Sequence, residues 1–286
     1  MDRTDLRLLF LDLDGTLLDD GKEISPGNRR ALERALRAGH RVVITTGRAL
    51  SSAKIQAQRL GLDRSGCYLI TFNGAVVYDC GTESVLSRTF LDPEALYAVF
   101  DEANRRGVCI VTYSIDEIIV ESRNDGETAQ RYCAPLGMDY RVADDIRTEL
   151  TAPPPKALIV DFDDHSRLEG MRDWIETHLS GRADCFFSNR SYLEVVPAGM
   201  NKGQAVIEMC RRLNVPISNA IAVGDEANDL SMIQAAGIGV AMANGTQAVK
   251  AAADYVTERD NNHDGVAEVV ERFCFGNVGK SEEKRV

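Results

Sequence analysis

The sequence contains no long apolar run: among its 286 residues nothing approaches the ~18 that a membrane-crossing helix needs. An apolar leader is missing too. The first ten residues are charged and lead straight into Leu8, so no secretory signal and a cytoplasmic location are expected. There is no excess of positive charge. Lys and Arg number 33 against 44 Asp and Glu, a formal net charge of −11, which argues against nucleic acid or an anionic membrane as partner. The seven cysteines (67, 80, 109, 133, 185, 210 and 274) are odd in number and include no CxxC pair. They read as reduced, mostly buried thiols, with neither disulfides nor zinc. The four histidines (40, 165, 178 and 263) lack a metal-ligand spacing and read as structural or surface residues. No GxSxG, HExxH or P-loop pattern occurs, and no internal repeat.

What is there has ordinary globular proportions, 44% hydrophobic and 27% charged, in a chain long enough for about two domains. The stretch that organises it is Leu8 to Leu18, an apolar run broken by Asp12-Leu13-Asp14-Gly15-Thr16. In an extended chain, side chains two apart point the same way, ~7 Å apart. Asp12 and Asp14 can therefore serve one small volume at the carboxyl end of a strand, where open α/β sheets bind ligands. Two close carboxylates need a cation, a proton or separate jobs to stay together. An acidic turn that only caps a strand is the plainer alternative.

The pattern then alternates. A helix is expected over 26–38, a strand over 41–44, a helix to about Leu60, and a strand over 68–72 ending in Asn73-Gly74-Ala75. After Val76 the rhythm changes to hairpins (76–78 with 85–90, then 108–113 with 117–121) and helices over 93–106, 128–136 and 167–179, with Trp174 as a core anchor. Pro153-Pro154-Pro155 reads as a loop before a strand over 156–162, and two strands follow at 185–188 and 192–196. Parallel grammar returns with a helix over 202–213, strands at 220–223, 238–242 and 255–257, and helices over 230–236, 246–252 and 265–273. The tail from Gly276 reads as frayed. The simplest architecture is one α/β domain made from residues 1–81 and 188–286, with an α+β insertion over 82–187.

Three further junctions carry polar residues. Asp225 repeats the opening pattern of an apolar strand ending in an acid, and a third acid makes an oxygen-rich pocket suited to magnesium. Asp229 can orient such ligands, although both acids can equally be helix caps. Thr46-Gly47-Arg48 offers a hydroxyl and free amides to an anion, or an ordinary N-cap threonine. Lys202 lies close to a helix start, where the dipole disfavours a cation unless an anion is bound; otherwise it is a solvated lysine. Together they point to phosphoryl chemistry, with a carboxylate attacking phosphorus while metal and lysine neutralise its oxygens.

Asp12-Leu13-Asp14-Gly15-Thr16, Thr46-Gly47-Arg48, Asn73-Gly74-Ala75, Lys202-Gly203 and Gly224-Asp225-Glu226-Ala227-Asn228-Asp229 occur in the order seen in the haloacid dehalogenase superfamily. The chain resembles its Cof-type phosphatases, subclass IIB, from Leu8 to about Val270, and Asn261 to Val266 resembles the family's usual ending. The resemblance implies a Rossmann-like parallel-sheet core with an inserted cap. It implies Asp12 as nucleophile and Asp14 as general acid, then base. Magnesium would be held by Asp12, the Asp14 backbone carbonyl and Asp225, and the phosphoryl group by Thr46, Gly47, Lys202 and Asn228. The expected substrate is a small phosphorylated metabolite, and nothing indicates an oligomeric state. A phosphomutase is the nearest alternative. A receiver-like signalling domain is a remote one, because receivers are much shorter. A non-catalytic binding protein is disfavoured because every catalytic position is filled.

Overall fold

The computed structural model describes residues 6–114, 117–124, 126–134 and 140–276. In chain order its strands are β1 (Leu8–Leu11), β2 (Arg41–Thr45), β3 (Cys67–Thr71), β4 (Val76–Asp79), β5 (Ser84–Arg88), β6 (Cys109–Tyr113), β7 (Ile118–Glu121), β8 (Tyr140–Ala143), β9 (Ala157–Val160), β10 (Ala183–Asn189), β11 (Tyr192–Pro197), β12 (Ala220–Gly224), β13 (Ile238–Ala241) and β14 (Tyr255–Val256). They form two sheets, in the orders β14-β13-β12-β1-β2-β3-β4-β5 and β10-β11-β9-β6-β7-β8.

The first sheet explains why β1 is apolar at every position. It lies in the middle, parallel to β2 on one side and β12 on the other, and all four of its residues are buried. From β1 the chain adds β2 and β3 outward in one direction, and after the second sheet it adds β13 and β14 in the other. The order reverses between β1 and β12, so a crevice opens beyond their carboxyl ends. Asp12 and Asp225 are the residues immediately after those ends.

Helices cover this sheet and aim the loops. In Pro26–Arg37 the Ser25 hydroxyl accepts from the Asn28 amide, Pro26 fills the first turn, and Ala31, Leu32 and Ala35 face the core. In Lys202–Leu213 the Asn201 side chain accepts from the Gln204 amide. That helix buries Ala205, Val206 and Met209 and stops at left-handed Asn214.

The second sheet is covered on one face by the helices Pro93–Arg106 and His165–His178, whose Leu96, Val99, Phe100, Leu168, Met171 and Ile175 pack on Ile110, Ile159 and Leu193. Val111, Tyr113, Leu158 and Val160 alternate to the other face, which meets the helix Gly126–Cys133 and shares its apolar cluster with the first sheet. There the rings of Tyr113 and Phe72 meet edge to face, centroids 5.7 Å apart.

Several expectations need adjusting. The expected hairpin of 76–78 with 85–90 is present, since β5 hydrogen-bonds to β4 in the first sheet, whereas β11, placed by sequence with the flanking 188–286 segment, lies between β10 and β9 in the second. Composition does not mark that placement, because strand pairing decides it. β8, parallel to β7, went unexpected because only Ala143 of its four residues is buried. The helix expected over 128–136 runs from Gly126 to Cys133, and Leu136 and the tail beyond Gly276 lie outside the described residues. The closing helix ends at Val270 and continues as a wider π turn over Glu271–Phe275. Trp174 is half-buried against the second sheet's cluster and stacks on His178. No helix among the described residues is long and apolar enough to cross a membrane.

Candidate active site

The crevice between β1 and β12 collects the acids. Asp12, Asp225 and Asp229 are all buried, and one carboxylate oxygen from each lies within 4.8 Å of the others. Lys202 is the cation among them. Its ammonium donates to Asp12 Oδ1 and to Asp229 Oδ1, both at 2.6 Å, and the residue is 1% exposed. The solvated-lysine alternative is therefore overturned: two carboxylates hold Lys202 at the first residue of its helix, against the dipole. Asp229 Oδ2 accepts the amides of Asp225 (2.9 Å) and Glu226 (3.1 Å), fixing the turn after β12. The helix-cap alternative holds in part for Asp229, which closes a capping box on the turn Ala227–Asp229. Half-buried Asn228 sits in that turn.

Asp225 is oriented from the β1 loop, where Thr16 Oγ1 donates to its Oδ1 at 2.9 Å. Gly15 makes this approach possible. It has φ +80°, and a Cβ there would meet Asp225 Oδ2 at 2.3 Å. Asn244 Nδ2 donates to the Gly15 carbonyl at 2.7 Å and holds the loop from a third side.

Asp14 is set apart at the rim. The Arg48 fork takes both its oxygens, Nε to Oδ2 at 2.9 Å and Nη2 to Oδ1 at 2.7 Å, and Lys22 adds a bond of 2.8 Å. Beside it runs the Thr46–Arg48 loop. The helix that follows starts at Leu50, so Thr46 is not its N-cap; Thr46 Oγ1 instead accepts the Arg48 amide at 3.2 Å. Phe72 and Asn73 have φ of +52° and +56°, an uncommon backbone for a bulky ring, and their amides bond back to the carbonyls of Arg48 and Thr46. Asn73 is buried, and neither polar atom of its side chain has a hydrogen-bond partner among the described residues.

The charges do not balance. Three buried carboxylates face one buried ammonium, which is unfavourable in a low-dielectric site. Burial foremost, then the neighbouring acids, push Asp12 up to about 8 against the pull of Lys202. Burial likewise pushes Asp225 up to about 7, although the Thr16 bond opposes it. For Lys202, burial disfavours the charge, but Asp12 and Asp229 outweigh it and its pKa is raised. For Asp14, burial is outweighed by Arg48 and Lys22, and its pKa is lowered. A hard divalent cation fits this donor set of close oxygens with surplus negative charge. Asp229 is the poorest ligand of the three, because its oxygens already accept Lys202 and two amides.

This geometry has counterparts in known proteins. The sequence profile of the haloacid dehalogenase-like hydrolases matches residues 9–270. The chain belongs to that family. The 5-amino-6-(5-phospho-D-ribitylamino)uracil phosphatase YcsE of Bacillus subtilis is 30% identical over 271 residues, 95% of this chain and 97% of the relative. The pyridoxal phosphate phosphatase YbhA of Escherichia coli is 29% identical over 271 residues, 92% of this chain and 97% of that protein. A solved haloacid dehalogenase-like hydrolase from Bacteroides thetaiotaomicron superposes with a TM-score of 0.83 at 34% identity, covering 93% of this chain and 99% of that one. This hydrolase is accordingly a phosphatase of the haloacid dehalogenase type.

The motifs led to Asp12, Asp225, Lys202 and Asp229, which the fold brings together. They did not lead to Lys22 or Asn244, whose roles exist only once the β1 loop has folded; Thr16 was within reach as the end of the Asp12-Leu13-Asp14-Gly15-Thr16 motif. Arg48 was within reach, since it completes the Thr46-Gly47-Arg48 motif. The four histidines make ordinary contacts: His40 Nδ1 accepts the Arg7 amide, His165 and His178 bond to backbone carbonyls, and His263 pairs with Asp260.

Proposed function

We propose that this phosphatase is magnesium-dependent and hydrolyses small phosphorylated metabolites, sugar phosphates or related phosphomonoesters, through a phosphoryl group carried on Asp12. The observation that carries this reading is the 2.6 Å bond from Lys202 to Asp12 Oδ1. It pins one carboxylate oxygen and leaves Oδ2 as the nucleophile. Oδ2 attacks phosphorus, the ester P–O bond breaks, and the departing alkoxide takes a proton from Asp14. Water then gives a proton to Asp14 and attacks the same phosphorus. The bond to Asp12 breaks and inorganic phosphate leaves.

The lowered pKa of Asp14 keeps it ionised, the form that can accept a proton in the second half. For the first half, a bound phosphoryl dianion both repels the Asp14 carboxylate and competes for Arg48 and Lys22, which raises its proton affinity. Thr46, Gly47, Lys202 and Asn228 hold the phosphoryl oxygens. Asp12, Asp225 and the Asp14 backbone carbonyl would hold magnesium, which supplies charge neutralisation of those oxygens when bound.

The second sheet with its helices, between Arg88 and Pro197, is the cap that contacts the leaving group and excludes water. Two relatives named for quite different phosphomonoesters support a reading in which the shared core does the chemistry and the cap chooses the substrate.

Purified protein offered a panel of phosphorylated metabolites with magnesium should release free phosphate. With p-nitrophenyl phosphate, whose leaving group needs no proton, Asp14→Asn should accumulate a phosphoryl group on Asp12, detectable by peptide mass. An isomerised sugar phosphate without phosphate release would make the protein a phosphomutase instead.

A further inference from the structure

We propose that Lys156, a residue of the second sheet, is a positioning residue for the phosphate-binding loop; this rests on the reading of Thr46 and Gly47 given above. Lys156 directly precedes β9 and is 3% exposed. Its ammonium reaches out of its own sheet to the Gly47 carbonyl at 3.1 Å. A buried lysine needs a counter-charge, and Glu194 of β11 supplies one, with Oε2 2.8 Å from Nζ. Glu194 is fixed in turn by Ser188 Oγ, which donates to its Oε1 at 3.0 Å. Thr112 Oγ1 donates to the Lys156 carbonyl at 2.9 Å, and the Tyr113 ring lies 4.8 Å from the ammonium. Among the described residues, every partner but one belongs to the second sheet. The exception is the carbonyl in the loop that receives phosphate.

That carbonyl is one end of the Gly47–Arg48 peptide. The other end, the Arg48 amide, donates to Thr46 Oγ1 at 3.2 Å. The peptide plane is therefore held from both sides, by Lys156 above and Thr46 below. Because Thr46 Oγ1 accepts this bond, its own proton is free to point at a phosphoryl oxygen. The Arg48 side chain, on the same short segment, forks onto Asp14. One buried cation thus ties the second sheet to the orientation of Thr46, Gly47 and Arg48, without itself touching substrate.

The test uses the full chain and compares Lys156→Met with the double variant Lys156→Met/Glu194→Gln. The second leaves no unpaired buried charge and keeps the experiment readable if the first misfolds. Both are assayed with p-nitrophenyl phosphate and with the best metabolite found for the wild type, and inorganic phosphate is titrated as a competitive inhibitor. The loop meets the phosphoryl group, which all three ligands share. The folded double variant should lose about 10- to 100-fold in kcat/KM on both esters alike, and the inhibition constant of phosphate should rise by a similar factor. Unchanged kcat/KM in a folded variant overturns the proposal. So does a loss confined to the metabolite, which would make Lys156 a leaving-group contact. If the wild type itself hydrolyses no phosphate ester, the functional reading fails, not the role of Lys156.

Discussion

The floor and the roof of the active site handle buried charge in opposite ways. In the floor, Asp12, Asp225 and Asp229 crowd around Lys202 with more negative charge than one ammonium can balance. In the roof, Lys156 meets Glu194 one to one, and Ser188 and the Gly47 carbonyl take up most of what remains. The floor carries an imbalance of charge that a purely structural core would avoid, as the proposed binding of a cation and a phosphoryl group would require. The roof is already satisfied and serves to hold a shape. Substitutions should therefore trade stability and activity differently in the two regions.

The largest effect belongs to the floor. Asp12→Asn removes the proposed nucleophile and should lower kcat by at least about 10⁴-fold. The same change removes a carboxylate that burial disfavours, so the melting temperature in metal-free buffer should hold or rise. Loss of activity with an intact or higher melting temperature marks a functional residue in a strained site. Retention of more than a few per cent activity would sink the covalent route.

The floor was legible in the sequence for the same reason that it is strained. An acid has no packing reason to follow a fully buried parallel strand, so Asp12 and Asp225 stand out against Leu8–Leu11 and Ala220–Val223. Lys202 stood out less, because a lysine at a helix start is ordinary until the fold brings Asp12 to it across 190 residues. The roof was nearly silent. Lys156 follows three prolines and reads only as the first residue of a strand, and its partner Glu194 lies 38 residues further on. The pairing of β5 with β4 was legible as a hairpin, but the placement of β11 between β10 and β9 was hidden, because hydrogen-bond pairing across the insertion leaves no mark in composition.

A smaller effect sharpens the comparison through pH. In the ion-free site Asp12 is pushed up to about 8 and Asp225 to about 7. Both values are raised, so their contribution to stability is fully present below the unfolded values near 4 and is lost as pH rises through 7 to 8. In EDTA, the melting temperature of the wild type should fall relative to Asp12→Asn across that window. On the proposed reading magnesium must displace the same protons, so its apparent affinity should climb up to about tenfold per pH unit for each proton released, then level off above both values. Calorimetry in two buffers of different ionisation enthalpy would count those protons. An affinity flat from pH 6 to 9 would show that the floor is not charge-strained.

The smallest effect lies at the outer edge of the roof and separates burial from chemistry. Arg147 pairs with Asp101 through a 2.5 Å hydrogen bond, but these side chains are 36% and 51% exposed. The pair joins a basic and an acidic side chain, as Lys156 and Glu194 do, and belongs to the same sheet with its helices. It differs in facing water and, among the described residues, in making no hydrogen bond to the Thr46–Arg48 loop. Solvent screens such a pair and ordering two long side chains offsets it, so Arg147→Ala should cost about 0.5 kcal/mol. In a chain of this size that moves the melting temperature by only about 1–2 °C. Its kcat/KM should match the wild type on p-nitrophenyl phosphate and on metabolites alike. If Arg147→Ala instead lowered phosphate affinity as far as the buried double variant, loss of any cap ion pair would disturb the loop. The specific reach of Lys156 to Gly47 would then explain nothing.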